Sequence, residues 1–532
     1  MDVVRVYVGC DHAGFSLRNN LVTRLRAQGR QIVDLGTDSE AACDYPEIAS
    51  AVANSVRGDP GSLGILVCAT GQGMAIAAGK VRGIRAVVPA TVEAARLSRF
   101  DNDANVLCLG GRLLSEKEAF AIVDTWLATG FAGGRHARRI AKVAAIETAS
   151  AVAFATESER LDLVARGIPG SIWKRDPTVF PVGAARSQAR NALAWLSLPD
   201  EMEARLPEIA KLVDEVRIAG FKDVVLLTGT ERKSTVAAVN RLWGAGAIRL
   251  HFLDGSPLAT VNDLEKSLHL DTTLVLTVST SDASSAIEVS ESQLWQKFLD
   301  RCDGDAQRAG QHFAAITTPG NSLEQIARAH RYRATFLDPA DIGECFGALG
   351  FVGLVPAALL GLDLARLLAR AKTMAETCRG DQLESNPGTS LGVLLGAMAK
   401  HGRNKVTILA SPSLLSLGPW ISQLLSASTR DCGRGVISTA GETLLDRYPP
   451  DRVFVQLQAA NDPPAISTEQ QEALHLAGHP FIQIGLRDKY DLAAEIFRWE
   501  MSATVAAVVL NANPFVPMIS KGIEQDPRVA AT

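Results

Sequence analysis

The run Leu63-Gly64-Ile65-Leu66-Val67-Cys68-Ala69-Thr70-Gly71-Gln72-Gly73-Met74 decides how the first third of this chain folds. Its apolar half, Leu63 to Val67, predicts a strand buried on both faces. The glycines at 71 and 73 predict a tight turn that leaves backbone N–H groups free at the start of the next helix. Cys68 then stands at the carboxyl end of the strand, where open α/β sheets hold their ligands. It is a candidate nucleophile or proton-transferring base. A small buried core thiol before a turn is the other reading.

Strand-like runs at Val3–Val8, Gln31–Leu35, Ile84–Val88 and Val106–Leu109 surround this segment, and helical spacing fills the gaps at Leu17–Arg26, Val92–Arg99 and Ser115–Ala128. Such alternation predicts βαβ units, hence an α/β fold that begins with a Rossmann-like parallel-sheet domain over residues 1–147. Residues 148–170 are rich in Ala, Glu and Arg and predict a helical linker. Buried runs at Val224–Leu227, Thr273–Val278 and Phe313–Thr317, and again at Val406–Ala410, Val453–Leu457 and Phe481–Ile484, predict two tandem α/β subdomains, 171–370 and 371–532. The uncharged stretch Cys345–Leu362 is interrupted by Gly347, Gly350, Gly353, Pro356 and Gly361, so it reads as buried core helix and not as a membrane span.

The bulk numbers narrow the function classes. A chain of 532 residues with 47% hydrophobic and 21% charged residues is a multidomain globular protein. A net charge of −4, with no long basic cluster, gives no electrostatic footprint for nucleic acid. Eight scattered cysteines without a Cys-x-x-Cys pair, and no secretory signal, lead to the expectation of a reduced, cytoplasmic protein. No histidine or cysteine shows metal-ligand spacing, so neither a metal nor another cofactor is expected.

Polar residues collect at the predicted strand ends: Asp11 and His12, Asp44 and Tyr45 in a loop, Cys68 and Thr70, and Asp101-Asn102-Asp103. Farther on, Gly133-Gly134-Arg135-His136-Ala137-Arg138-Arg139 puts Arg135 and Arg139 on one helical face, a pairing suited to phosphate. Together with Gly-Cys-Asp-His-Ala-Gly at 9–14, Asp44-Tyr45-Pro46, Leu97-Ser98-Arg99 and Asn102–Leu107, these segments resemble the type B ribose-5-phosphate isomerases and galactose-6-phosphate isomerase subunits. The resemblance implies aldose–ketose isomerisation through an enediolate. Cys68 would be the base, with Thr70 and the N–H groups at Gly71 and Gly73 steadying the developing charge. Asp11, Tyr45 and Asn102 would meet the sugar, and His12, Arg135 and Arg139 its phosphate. In that family the arginines cross a dimer interface, which implies a homodimer or higher homo-oligomer. The chain departs from the family where Asp101 replaces a histidine associated with opening the furanose ring, and at Ala69 and Gly79.

From about Ile172 to Phe515 the chain resembles phosphoglucose isomerase, in the form fused behind transaldolase in some bacteria. The resemblance rests on Asp338–Gly343, Gly353–Ala358, Asn386-Pro387-Gly388, Gly478-His479-Pro480, Phe497–Glu500 and Asn513-Pro514-Phe515. Its chemistry-bearing positions differ. The phosphate loop reads Ser281-Asp282-Ala283-Ser284-Ser285, leaving Ser281, Ser284 and Ser285 as residual phosphate donors. Gly343-Glu344-Cys345 replaces a Gly-Gly-Arg, and Ala427 replaces the catalytic glutamate, for which Glu344 or Glu442 are the conceivable substitutes. The expectation is a sugar-phosphate isomerase acting on ribose 5-phosphate and ribulose 5-phosphate through the first domain, with a degraded second half. The alternatives are glucose-6-phosphate isomerisation by that second half, alone or as a bifunctional fusion, and a non-catalytic sugar-phosphate-binding regulator. The expected partner is a phosphorylated monosaccharide, with neither nucleic acid nor membrane.

Overall fold

Fourteen strands in the computed structural model are distributed over three parallel sheets, among described residues 4–181, 192–229, 236, 248–253, 268–279, 285–339, 342, 345–380, 385–445 and 447–515. The chain divides into two units, Met1–Ala151 with Glu472–Gly478, and Val152–Gln471 with His479–Thr532.

In the first unit, β1 (Arg5–Cys10), β2 (Gln31–Asp34), β3 (Leu63–Cys68), β4 (Ala86–Val87) and β5 (Val106–Gly110) lie in the order β2-β1-β3-β5-β4. All pairings are parallel, with Cys10 opposite Val67 and Cys68 opposite Gly110. Every residue of β3 is buried, as its apolar run requires. Alternation sends Leu63, Ile65 and Val67 to one face, against α1 (Phe15–Ala27) and α5 (Glu116–Ala128), with Ala95 of α4 (Val92–Phe100) beside them. Leu66 and Cys68 point to the other face, against α2 (Tyr45–Gly58) and α3 (Gln72–Ala78). Helix α5 starts on a capping box in which Ser115 and Glu118 satisfy each other's backbone N–H groups. A long helix, α6 (Gly134–Ala165), follows.

The second unit holds two more parallel sheets. The first comprises β6 (Asp223–Thr228), β7 (Arg249–Leu253), β8 (Thr273–Ser279), β9 (Phe313–Thr317) and β10 (Ala334–Leu337), ordered β10-β9-β8-β6-β7. The second comprises β11 (Lys405–Ala410), β12 (Ile437–Ala440), β13 (Arg452–Ala459) and β14 (Phe481–Leu486), ordered β12-β11-β13-β14. The helix Asp491–Leu510 is buried at every position but Arg498. Helix Pro387–Lys400 meets it through Gly388, Gly392 and Gly396, where an added Cβ would come within 2.8 Å of Met501, 2.5 Å of Ser502 O and 2.7 Å of Val509.

Several sequence expectations change. Tyr45 is not in a loop: it opens α2, with Asp44 at the cap position and Pro46 in the first turn. The buried strand expected over Ile84–Val88 shrinks to the half-buried edge strand β4. The edge strands β7, β10 and β12 carry no continuous apolar run, and one side of each is exposed or half-exposed. Within Cys345–Leu362 only Phe351–Leu359 is helical, and all nine residues are buried. Among the described residues no helix is long and apolar enough to cross a membrane.

Glu500 sits inside this second core, fully buried, with Oε1 accepting the N–H groups of Gly347 (2.9 Å) and Ala348 (3.3 Å) and Oε2 unpartnered. Burial pushes its carboxyl up to about 8, because the charged form loses its hydration. The folded state therefore holds a proton that the unfolded chain releases near pH 4.5, and stability falls as pH rises from there towards 8. Glu500→Gln keeps the acceptor and removes the titration. Compared with wild type, its unfolding midpoint should change less between pH 5 and pH 8, as read by thermal denaturation.

Candidate active site

Strand order fixes where a crevice opens. The chain leaves β1 towards β2 on one side and returns to β3 on the other; α1 then packs on one face of the sheet and α3 on the other, so the loops that follow the paired carboxyl ends of β1 and β3 part there. Asp11 and Cys68 stand at those two ends. Asp11 is buried, its N–H donates to Val67 O at 3.2 Å, and its Oδ1 accepts the Gly14 N–H at 3.0 Å, capping the short turn His12–Gly14. That turn presses on β3 so closely that a Cβ on Gly14 would lie 2.4 Å from Val67 O. His12 Nδ1 accepts the Cys43 N–H at 3.3 Å, which leaves Nε2 as the protonated, donating nitrogen of the neutral ring.

Cys68 is 6% exposed, and its Sγ accepts the Gly71 N–H at 3.1 Å. Gly71 has φ +78°, a left-handed conformation that suits glycine, and an added Cβ would come within 3.1 Å of the Leu109 backbone. Thr70 Oγ1 accepts the Gln72 N–H at 3.4 Å. A Cβ on Gly73 would lie 2.9 Å from the Tyr45 ring, so Tyr45 lies directly against the loop. On the neighbouring strand Cys108 is fully buried on the same sheet face. Burial, together with the nearby Cys68, raises its thiol far above the ordinary range, so it stays protonated. The structure thus brings Asp11, His12, Tyr45, Cys68, Thr70, Gly71 and Gly73 to one edge of the sheet.

The remaining predicted residues are elsewhere in the same chain. Asp101 and Asn102 follow α4 and precede β5, which runs parallel to β3; the strand from Val106 to Gly110 spans roughly 13 Å. The Ala132 N–H donates to Phe100 O at 3.0 Å and brings the start of α6 to this opposite end. There Arg135 and Arg139 are exposed on the first turns of α6, as the spacing predicted. Asn102 is exposed too, while Asp103 is braced by Arg85 (2.7 Å) and Arg99 (2.9 Å). One protomer therefore holds the thiol and the arginine pair apart.

Two residues were missed as site candidates. Arg112 follows Gly110-Gly111 at the end of β5. Its N–H donates to Ala69 O at 3.1 Å, which puts an exposed guanidinium on the rim of the Cys68 loop; a basic residue straight after a buried strand was the available signal. His136, inside the quoted Gly-Gly-Arg-His segment, is buried between Arg135 and Asp101. In the second unit Ser281, Ser284 and Glu344 lie outside the described residues, and Ser285 opens a helix. Ala427 is buried in the helix Leu417–Thr429. Glu442 accepts from Thr407 (2.7 Å) and Arg452 (2.6 Å), which commits it to an ion pair and not to an open site.

Residues 6–143 match the family model described as Ribose/Galactose Isomerase. Among curated proteins, ribose-5-phosphate isomerase B of Escherichia coli is 46% identical over 143 residues, 27% of this chain and 96% of that protein. The probable ribose-5-phosphate isomerase B of Mycoplasma pneumoniae is 41% identical over 143 residues, 27% of this chain and 94% of its own. A crystal structure of a hypothetical protein from Thermus thermophilus covers 70% of this chain and 93% of its own, with TM-score 0.55 and 22% identity. That last likeness is one of fold, and it extends into the second unit.

The backbone crossing at Gly14 gives a direct check. Gly14→Ala forces main chain off main chain, so the variant should lose roughly 2 kcal/mol or more of stability in denaturant titration.

Proposed function

Residues 6–143 belong to the ribose/galactose isomerase family, and from that premise we propose that this unit interconverts ribose 5-phosphate and ribulose 5-phosphate. The enzyme is an aldose–ketose isomerase. The observation that carries the finer reading is the Cys68 sulfur, held by the Gly71 N–H at the point where the loops after β1 and β3 part. Cys68 takes the proton from C2 of the open aldose and returns it to C1, while the hydroxyl proton passes from O2 to O1 so that the carbonyl forms at C2. The charge that builds on the enediolate oxygens is met by the Thr70 hydroxyl and by the N–H groups where α3 begins, at Gly73, while the Gly71 N–H stays on the sulfur. Asp11 and Tyr45 border the same loop and position the sugar. His12 offers an Nε2–H, and Arg135 and Arg139 offer forked donors that suit a phosphate.

A single chain cannot apply both groups to one small sugar, since the arginines lie beyond the opposite end of the sheet. The reading therefore includes a homodimer in which each copy supplies Arg135, Arg139 and Asn102 to its partner's Cys68. The second unit takes no part in this chemistry. Its buried Ala427 offers no base, and Glu442 is neutralised by Arg452.

Cys68→Ala should lower turnover of ribose 5-phosphate by at least about a thousandfold; activity equal to wild type would remove the thiol from the reaction. Mixing Cys68→Ala chains with Arg135→Ala/Arg139→Ala chains tests the shared site. Half the dimers become hybrids with one intact site, so activity should return to about a quarter of wild type. No recovery from subunits shown to exchange would refute sharing.

A further inference from the structure

Asp101, His136 and Arg135 form a chain of contacts in which the proposed reaction gives a task to Arg135 alone. Arg135 Nε donates to His136 Nε2 at 3.1 Å, so that nitrogen is unprotonated and the ring proton sits on Nδ1. Nδ1 faces Asp101 Oδ1 at 3.6 Å, an ion-pair distance. His136 is 8% exposed, whereas Arg135 is exposed and free to turn. A carboxylate on one side of an imidazole and a displaceable group on the other is the arrangement in which the ring takes up a proton while the carboxylate balances the new charge.

The substrate supplies a use for that proton transfer. An aldopentose 5-phosphate is closed as a furanose, and its C2 proton becomes acidic only once C1 is an aldehyde. Opening moves one proton from the anomeric hydroxyl to the ring oxygen as the C1–O4 bond breaks and C1=O forms, with no change in oxidation state. The group that mediates it must both take and give a proton near neutral pH. An imidazole does this; an ionised carboxylate has no proton to give.

We propose that His136 opens the sugar ring. The proposal rests on the isomerase reading above. When phosphate arrives, Arg135 leaves His136 Nε2 for the phosphate oxygens, a charge-assisted contact roughly twice as strong as one between neutral groups. The freed Nε2 accepts the O1 proton, the C1–O4 bond breaks, and the imidazolium, balanced by Asp101 across Nδ1, returns the proton to O4. His136 touches the reacting atoms; Asp101 is a positioning residue.

The test separates ring opening from isomerisation, because ribulose 5-phosphate is acyclic. In full-length His136→Asn, kcat/KM for ribose 5-phosphate should fall by about a hundredfold or more. Exchange of solvent deuterium into C1 of ribulose 5-phosphate should stay within about threefold of wild type. Asp101→Asn, at a more exposed position, should show the same split to a smaller degree and guards against a misfolded His136 variant. Equal losses in both assays would mean that His136 serves phosphate binding or the fold, and would overturn the proposal. Unchanged rates in both would overturn it and leave the isomerase reading standing. Wild-type protein that neither interconverts the two pentose phosphates nor exchanges the C1 proton would remove the isomerase reading and this inference with it.

Discussion

Three stretches of backbone cross at the end of β3 with no room for a side chain between them. The Asp11 N–H binds Val67 O, the Gly111 N–H binds Cys68 O at 2.7 Å, and the Arg112 N–H binds Ala69 O. A Cβ on Gly14 or on Gly110 would fall inside main chain, 2.4 Å from Val67 O and 3.0 Å from the Thr70 carbonyl. Because the glycines contribute nothing but backbone, the groups that remain to line the crevice are the side chains of Asp11, His12, Cys68 and Thr70. The change in strand order between β1 and β3 sends the two loops apart, and this crossing holds them in place.

At the far end of the same sheet the logic is ionic. Arg99 binds Asp103 and Ala104 O and lies over the Trp126 ring; Arg85 binds the other Asp103 oxygen, and Asn105 joins Arg85 N–H to Gly83 O. Asp103 itself takes a left-handed φ of +48°. Two arginines on one carboxylate hold that backbone in a conformation most residues avoid, and so present Asp101 and Asn102 at a fixed turn. The Leu97-Ser98-Arg99 and Asp103–Leu107 parts of the sequence motif thus include a brace for the turn that carries Asp101 and Asn102. Within one chain the Cys68 thiol and the Arg135 and Arg139 cations lie at opposite ends of the sheet.

The central strands were legible because burial on both faces demands an unbroken apolar run, as in Leu63–Val67 or Val224–Leu227. The same rule hid β7, β10 and β12, whose outer sides meet solvent and so need no such run. Tyr45 was misplaced because a proline one residue later reads as a turn, although proline is also at home in the first turn of a helix. For the candidate site, the apolar runs were enough to put Cys68, Thr70 and Asp11 at the ends of their strands, where the structure has them. The role of His136 was not legible, since its meaning depends on Arg135 at one nitrogen and Asp101, thirty-five positions earlier, at the other. Sequence spacing carries no record of which nitrogen faces which partner.

The second unit is held together by packing and by backbone hydrogen bonds that no reaction requires. Its core is organised by the helix Asp491–Leu510, against which Gly388, Gly392 and Gly396 allow a neighbouring helix to approach at backbone distance. Glu500 on that helix binds the Gly347 and Ala348 N–H groups and so fixes a turn that would otherwise bury two unsatisfied donors. Glu495, raised to about 7 by burial, lies on the same helix with Arg498 at 3.3 Å from its Oε1. None of these contacts needs a base at position 427, where an alanine packs without strain inside its helix, or a free carboxylate at Glu442, which Arg452 instead binds. The constraints that keep this unit folded are packing and backbone satisfaction, and they are independent of the side chains on which a reaction would depend.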